Sequence, residues 1–242
     1  MNLLQEAMTY LNDPFNWTRN GGILDLLAEH LRISALAVLA AMLLAVPLGM
    51  LLGHTGRGGG FTVALSNVSR AVPTLALLTI FAVTPIGFGP TATTIALAVF
   101  AVPPILTNTY VGFRSVDRDV VEASRAMGFS EWQVASKVEL PLAAPLLMTG
   151  VRTAAVQVVA TATLAALVAG GGLGRIITLG FRQQDYGAVL AGAILVAALA
   201  VLTELLLAVL SWALTPGPRT LPFLRARPAA RTADPAMAAP PL

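Results

Sequence analysis

Runs of about twenty mainly apolar residues, each long enough to cross the roughly 30 Å of a bilayer's hydrocarbon as a helix, recur along this chain. Charged residues gather in short clusters between them. Hydrocarbon offers no water to backbone N–H and C=O groups, so a spanning segment must satisfy them internally, as a helix does. Composition agrees: charged residues make up 11% of the chain, against about 25% in an ordinary soluble domain. The sequence therefore predicts an all-α, polytopic membrane protein. Five spans are expected, at residues 33–52, 63–83, 91–111, 142–168 and 188–214. Pro73 is expected to kink the second, and Pro103-Pro104 to interrupt the third.

The flanks read differently. Residues 1–30 carry Leu3, Leu4, Ala7, Met8 and Leu11 at helical spacing, which predicts an amphipathic helix lying on the membrane surface. They lack a basic stretch followed by an apolar core, so no cleaved signal peptide is expected. Gly-rich residues 170–186 are expected to form a loop. Residues 216–242 are rich in Pro, Ala and Arg without periodicity and are expected to be disordered.

Arginine placement orients the chain. Arg57 and Arg70, then Arg114, Arg118, Arg125 and Lys137, then Arg219, Arg225, Arg227 and Arg231 fall on one side of a five-span topology. That side is the cytoplasm. The segment with Glu6, Asp13, Asp25 and Glu29 then lies outside. Arg175 and Arg182 run mildly against this trend. The basic balance follows membrane topology, so nucleic acid is not an expected partner. The tail's arginines have anionic lipid as an alternative contact to plain solvation. No cysteine is present, which excludes disulfides and thiolate metal sites. The two histidines, His30 and His54, are far apart and read as interfacial residues rather than metal ligands.

Residues 114–141 are too polar to span and too patterned for a plain loop. Asp117 can cap a helix over residues 118–127. Gly128 supplies a left-handed position after it, and Ser130 with Gln133 reads as a capping box for a second short helix. Pro141 suits the first turn of the next span. The result is helix, corner, helix and re-entry into the membrane.

The run Glu122-Ala123-Ser124, three residues, Gly128, nine residues, Val138, one residue, Leu140-Pro141 resembles the signature loop of bacterial ABC importer permeases. The family pattern has alanine and isoleucine where Ser124 and Val138 stand. The resemblance implies a type I ABC importer permease core with a cytoplasmic coupling helix that docks on a separate ATPase. Ala123 and Ser124 are small enough for close approach. Glu122 has two readings: a pair with a basic group on the ATPase, or an intrahelical pair with Arg118 or Arg125 worth about 0.2–0.5 kcal/mol. The runs at residues 66–77, 107–110, 150–154 and 162–174 are similar to permeases for glycine betaine, choline, carnitine and related osmoprotectants. The resemblance also implies an extracytoplasmic binding protein and a second permease, either another copy or a paralogue.

This chain carries no nucleotide site of its own. A P-loop needs lysine followed by Ser or Thr, and Val138 follows the only lysine, Lys137. ATP and Mg are thus assigned to the partner ATPase, and the chain is not expected to be an enzyme or to bind a cofactor or metal. Within the spans, Asn67, Asn108, Gln157 and Glu204 are the candidates for a translocation path. Helix–helix hydrogen bonding, averaging about 0.6 kcal/mol in membranes, is the alternative for the amides. Glu204 is open to a cationic solute, to a pair within a dimer, or to an interfacial position. Among the tyrosines and tryptophans only Tyr110 and, at the end of the last span, Trp212 fall in a span, so no aromatic cage is expected. Other readings are an importer for another small solute such as methionine, an ion-coupled secondary carrier, and a membrane-bound enzyme. The osmoprotectant-like runs argue against the first. The carrier lacks an internal repeat, and the enzyme lacks a catalytic constellation.

Overall fold

The computed structural model describes residues 2–214. The expectation for the 216–242 tail lies outside them. Helix α1 (Leu3–Asn12) and α2 (Pro14–Thr18) lead into the long α3 (Ile23–Thr55). Then follow α4 (Gly59–Ala71), α5 (Thr74–Ala82), α6 (Pro90–Arg114), α7 (Arg118–Ala126) and α8 (Glu131–Gln133). A π-helical turn (Val134–Glu139) joins α8 to α9 (Leu140–Thr161), and a 3-10 segment (Ala162–Val168) extends α9. Last come α10 (Gly174–Gln183) and α11 (Tyr186–Leu214). Among the described residues there is no strand.

The core is a seam of three helices with matched four-residue stripes. On α3 the buried positions are Ala37, Ala41, Ala45, Gly49 and Gly53. On α6 they include Leu97, Ala101, Ile105, Thr109 and Phe113, and on α9 Ala143, Leu147, Val151, Ala155 and Val159. Positions four apart share a helix face. Lipid tails are as apolar as leucine, so burial alone does not drive these helices together; close van der Waals packing of small residues does. Outward faces carry large apolar groups instead, such as Leu43, Leu44 and Leu51.

Four helices are long and apolar enough to cross a membrane, and the α4–α5 pair makes a fifth crossing if counted as one. Several expected details change. The helix that contains the expected 33–52 span begins ten residues earlier, at Ile23, its start held by Asp25, whose carboxylate accepts the Gly21 N–H at 2.8 Å. The second span is broken rather than kinked, with α4 and α5 meeting at 87°. Val72, preceding Pro73, is extended (ψ 119°), as the proline ring demands of its predecessor. Pro103-Pro104, by contrast, leave α6 unbroken. Proline's φ is already helical, and a packed membrane helix tolerates lost N–H donors.

The Gly-rich 170–186 stretch is not a plain loop, since it contains α10. Its start is pinned to α3: Glu29 accepts the Gly172 N–H at 2.9 Å. His30 is buried rather than interfacial, facing the Val159 carbonyl through Nε2 (2.9 Å) and the Leu173 N–H through Nδ1 (3.3 Å). Donation by Nε2 and acceptance by Nδ1 satisfy both contacts with one neutral tautomer. The amphipathic N-terminal helix forms as α1, but it packs on the start of α11 and buries Ala7.

Candidate functional site

Two features stand out: a projecting corner between α6 and α9, and a cavity between α4, α6 and α9. The corner is built by local signals. Asp117 caps α7 by accepting the Asp119 N–H at 3.0 Å. The helix ends in a Schellman motif, with the Phe129 N–H on the Ser124 carbonyl (3.2 Å) and the Gly128 N–H on that of Arg125 (2.9 Å). Gly128 sits at φ +87°. The Ser130–Gln133 capping box then starts α8. Arg125 forks onto Glu131 through two bonds of 2.9 Å, and this hydrogen bonding holds the Arg125 guanidinium above its ordinary pKa.

At the tip, large apolar side chains face outward: Met127 is 70% exposed and Trp132 73%. Glu122 and Ala123 are exposed, and Ser124 is buried with its hydroxyl on the Val120 carbonyl. Arg125 spends its charge on Glu131, and Glu122 has no ion-pair partner among the described residues. Val138 and Leu140 are half-buried, and Pro141 lies in the first turn of α9. Arg125→Ala is expected to speed amide exchange over residues 124–130 and leave the α3–α6–α9 seam unchanged, as read by hydrogen exchange.

At the root of the corner lies a contact that no sequence signal marked. Glu139, the last residue of the π turn, is fully buried. Its carboxylate contacts Nδ1 of His54, at the end of α3. The other ring nitrogen of His54 is 3.0 Å from Glu131, and Arg118 approaches Glu139 at 4.0 Å. His54 is thus a bridge rather than a bland interfacial residue.

The cavity has a volume of about 520 Å³. Its wall includes Ser66 and Ser69 of α4, Pro73 at the break, Phe100, Thr107 and Asn108 of α6, and Thr153 and Gln157 of α9. Among the described residues, hydroxyls and amides line it together with Val72, two prolines and one aromatic ring. Of the four candidate path residues, the structure brings Asn108 and Gln157 together here. Asn67 is exposed on α4 and is not in the wall. Glu204 is also outside it, ion-paired with Arg152 across α11 and α9. The polar wall of α4 was hard to read from sequence, because Ser66 and Ser69 gain their setting only through the α4–α5 bend.

Apolar helices long enough to cross a membrane, stacked around a cavity lined by hydroxyls and amides, are the build of a multi-pass membrane permease. Residues 45–215 match the family described as binding-protein-dependent transport system inner membrane component, and the chain belongs to that family. The chain is 35% identical over 213 residues to the glycine betaine/carnitine/choline transport system permease protein OpuCB of Bacillus subtilis, covering 88% of this chain and 95% of that one. It is 37% identical over 202 residues to the choline transport system permease protein OpuBB of the same organism (84% and 93%). With the carnitine transport permease protein OpuCB of Listeria monocytogenes it shares 39% over 188 residues (78% and 86%). Among solved structures, the inward-facing MetNI methionine ABC transporter superposes with a TM-score of 0.71 at 24% identity, covering 85% of this chain and all of that one. The all-α permease fold and the family read from residues 122–141 both hold.

Proposed function

We propose that this chain is the membrane permease of an ABC importer for glycine betaine, choline, carnitine or related quaternary ammonium solutes. The names of its relatives support the solute class. The likeness to the methionine transporter is one of fold and carries no solute. The observation that carries the coupling role is the capped, rigid corner whose tip exposes Met127 and Trp132 beside an exposed Glu122. Exposed apolar anchors on a preorganised element suit a protein partner. In this reading Glu122, Ala123, Ser124 and Gly128 face the ATPase. Val138, Leu140 and Pro141 root the corner in α9. The corner is cytoplasmic and the N-terminus lies outside, as the arginines direct.

Two copies, or this chain and a paralogue, enclose the path, and a binding protein delivers the solute from outside. ATP and Mg stay on the ATPase. ATP binding draws the two corners together, opening the path outward, and hydrolysis resets it. Asn108 and Gln157 line the path in this reading. Asn67 and Glu204 act elsewhere, Glu204 with Arg152. The wall residues among those described offer hydroxyls, amides and one aromatic ring, which hold a quaternary ammonium weakly; that suits passage, with tight selection left to the binding protein.

The test is uptake of labelled glycine betaine into proteoliposomes holding this chain with its ATPase and binding protein. The expected result is ATP-dependent uptake displaced by choline and carnitine and not by methionine. ATP hydrolysis without glycine betaine, choline or carnitine entering would overturn the solute class.

A further inference from the structure

The cavity wall, the exposed tip and the Gly-rich loop all have a place above; the His54–Glu139 contact does not. We infer that this contact is the mechanical link that passes displacement of the projecting corner to α3, and so couples ATP turnover to opening of the path. The inference rests on the docking reading of residues 114–141.

Four observations converge on it. Glu139 is fully buried, and its partner His54 has a side chain only 15% exposed. A buried carboxylate without partners is strongly unfavourable, and the ring is the one hydrogen-bonding side chain this carboxylate has among the described residues, with Arg118 at 4.0 Å. Second, His54 also faces Glu131 at 3.0 Å. Glu131 is forked by Arg125, so a continuous polar chain runs from α7 through α8 to His54 of α3, and from there to the π turn.

Third, the π turn sits between the corner and α9. Such a turn winds the helix wider than the α repeat and often marks a functional site. It gives the corner a place to shift relative to α9 without unwinding either. Fourth, the end of α3 is packed hard against α6: a Cβ at Gly53 would fall 2.5 Å from that of Phe113. Phe113 clusters with Ala135 of the π turn and Ala143 of α9. A pull on His54 therefore moves α3 with the core seam rather than fraying its end. His54 is a positioning residue in this scheme: it touches neither solute nor nucleotide.

The experiment compares ATP hydrolysed per solute imported, in proteoliposomes with the ATPase and binding protein. The probe is whichever of labelled glycine betaine, choline or carnitine the unaltered chain imports. His54→Ala is expected to retain the ATPase on co-purification but to spend at least five times more ATP per solute. Glu139→Gln, close in shape, is expected to shift the ratio in the same direction and decides the matter if His54→Ala does not insert. His54→Arg, whose fork can donate to both carboxylates, is expected to return the ratio toward that of the unaltered chain. An unchanged ratio with the ATPase bound overturns this inference alone, including the case where hydrolysis and uptake fall together. Failure of the unaltered chain to hold the ATPase overturns the docking reading and this inference with it.

Discussion

Gly128→Asp is expected to abolish solute uptake while the protein still inserts and keeps its helical content. The φ of +87° there costs an L-residue about 1–2 kcal/mol, with aspartate toward the lower end. A Cβ at this position meets nothing within 4 Å, so the effect is backbone strain plus charge, without a clash. Strain loosens the turn that holds α7 against α8. The added carboxylate stands beside Met127 and Phe129, desolvating badly on any apolar partner surface. Gly128→Ala separates the two effects. It carries at least as much strain and no charge, and is expected to retain part of the uptake. Co-purification of the ATPase reads docking, and uptake reads coupling. Full uptake by the aspartate variant would sink the docking role of the corner.

Gly150→Ala is the second large effect, and it lives in the packing. A Cβ at Gly150 would fall 2.6 Å from the Cβ of Asn108 and 2.8 Å from the Pro104 carbonyl oxygen. Neither neighbour is the far end of a flexible side chain, so α6 and α9 must part. Overpacking of this kind costs about 1–3 kcal/mol. Asn108 and Pro104 both belong to the cavity wall, so uptake is expected to fall together with thermal stability in detergent. Asn108→Ala does not relieve the clash, because the Cβ remains; Asn108→Gly relieves half of it. Gly60→Ala makes the same chemical change with open space around it, inside α4. It is expected to be neutral or to stabilise by up to about 1 kcal/mol. Equal melting temperatures for the two variants would refute the tight α6–α9 seam.

The contrast between these glycines marks how far the amino-acid pattern reaches. Gly128 was legible because its role is local. A cap at Asp117, a left-handed stop and a box from Ser130 to Gln133 act over a few neighbouring residues. Gly150 was not legible as a contact, since its neighbours lie on another helix. Pro73 and Pro103-Pro104 show the same divide. All three remove a backbone donor, yet only the first breaks its helix.

By itself, the chain's sequence determined that it is helical and membrane-spanning, where most spans lie, how the corner at residues 114–141 is capped, and which family it joins. Hydropathy and capping are short-range properties, readable wherever the residues stand. The tertiary structure alone decided that Asn108 and Gln157 share a cavity while Asn67 and Glu204 stand apart from it. It also decided that Arg125 reaches Glu131 instead of Glu122, and that His54 meets Glu139. Those pairings depend on how helices rotate and cross. That geometry is set by the summed packing of small residues along the α3, α6 and α9 stripes, and no local stretch of sequence carries it.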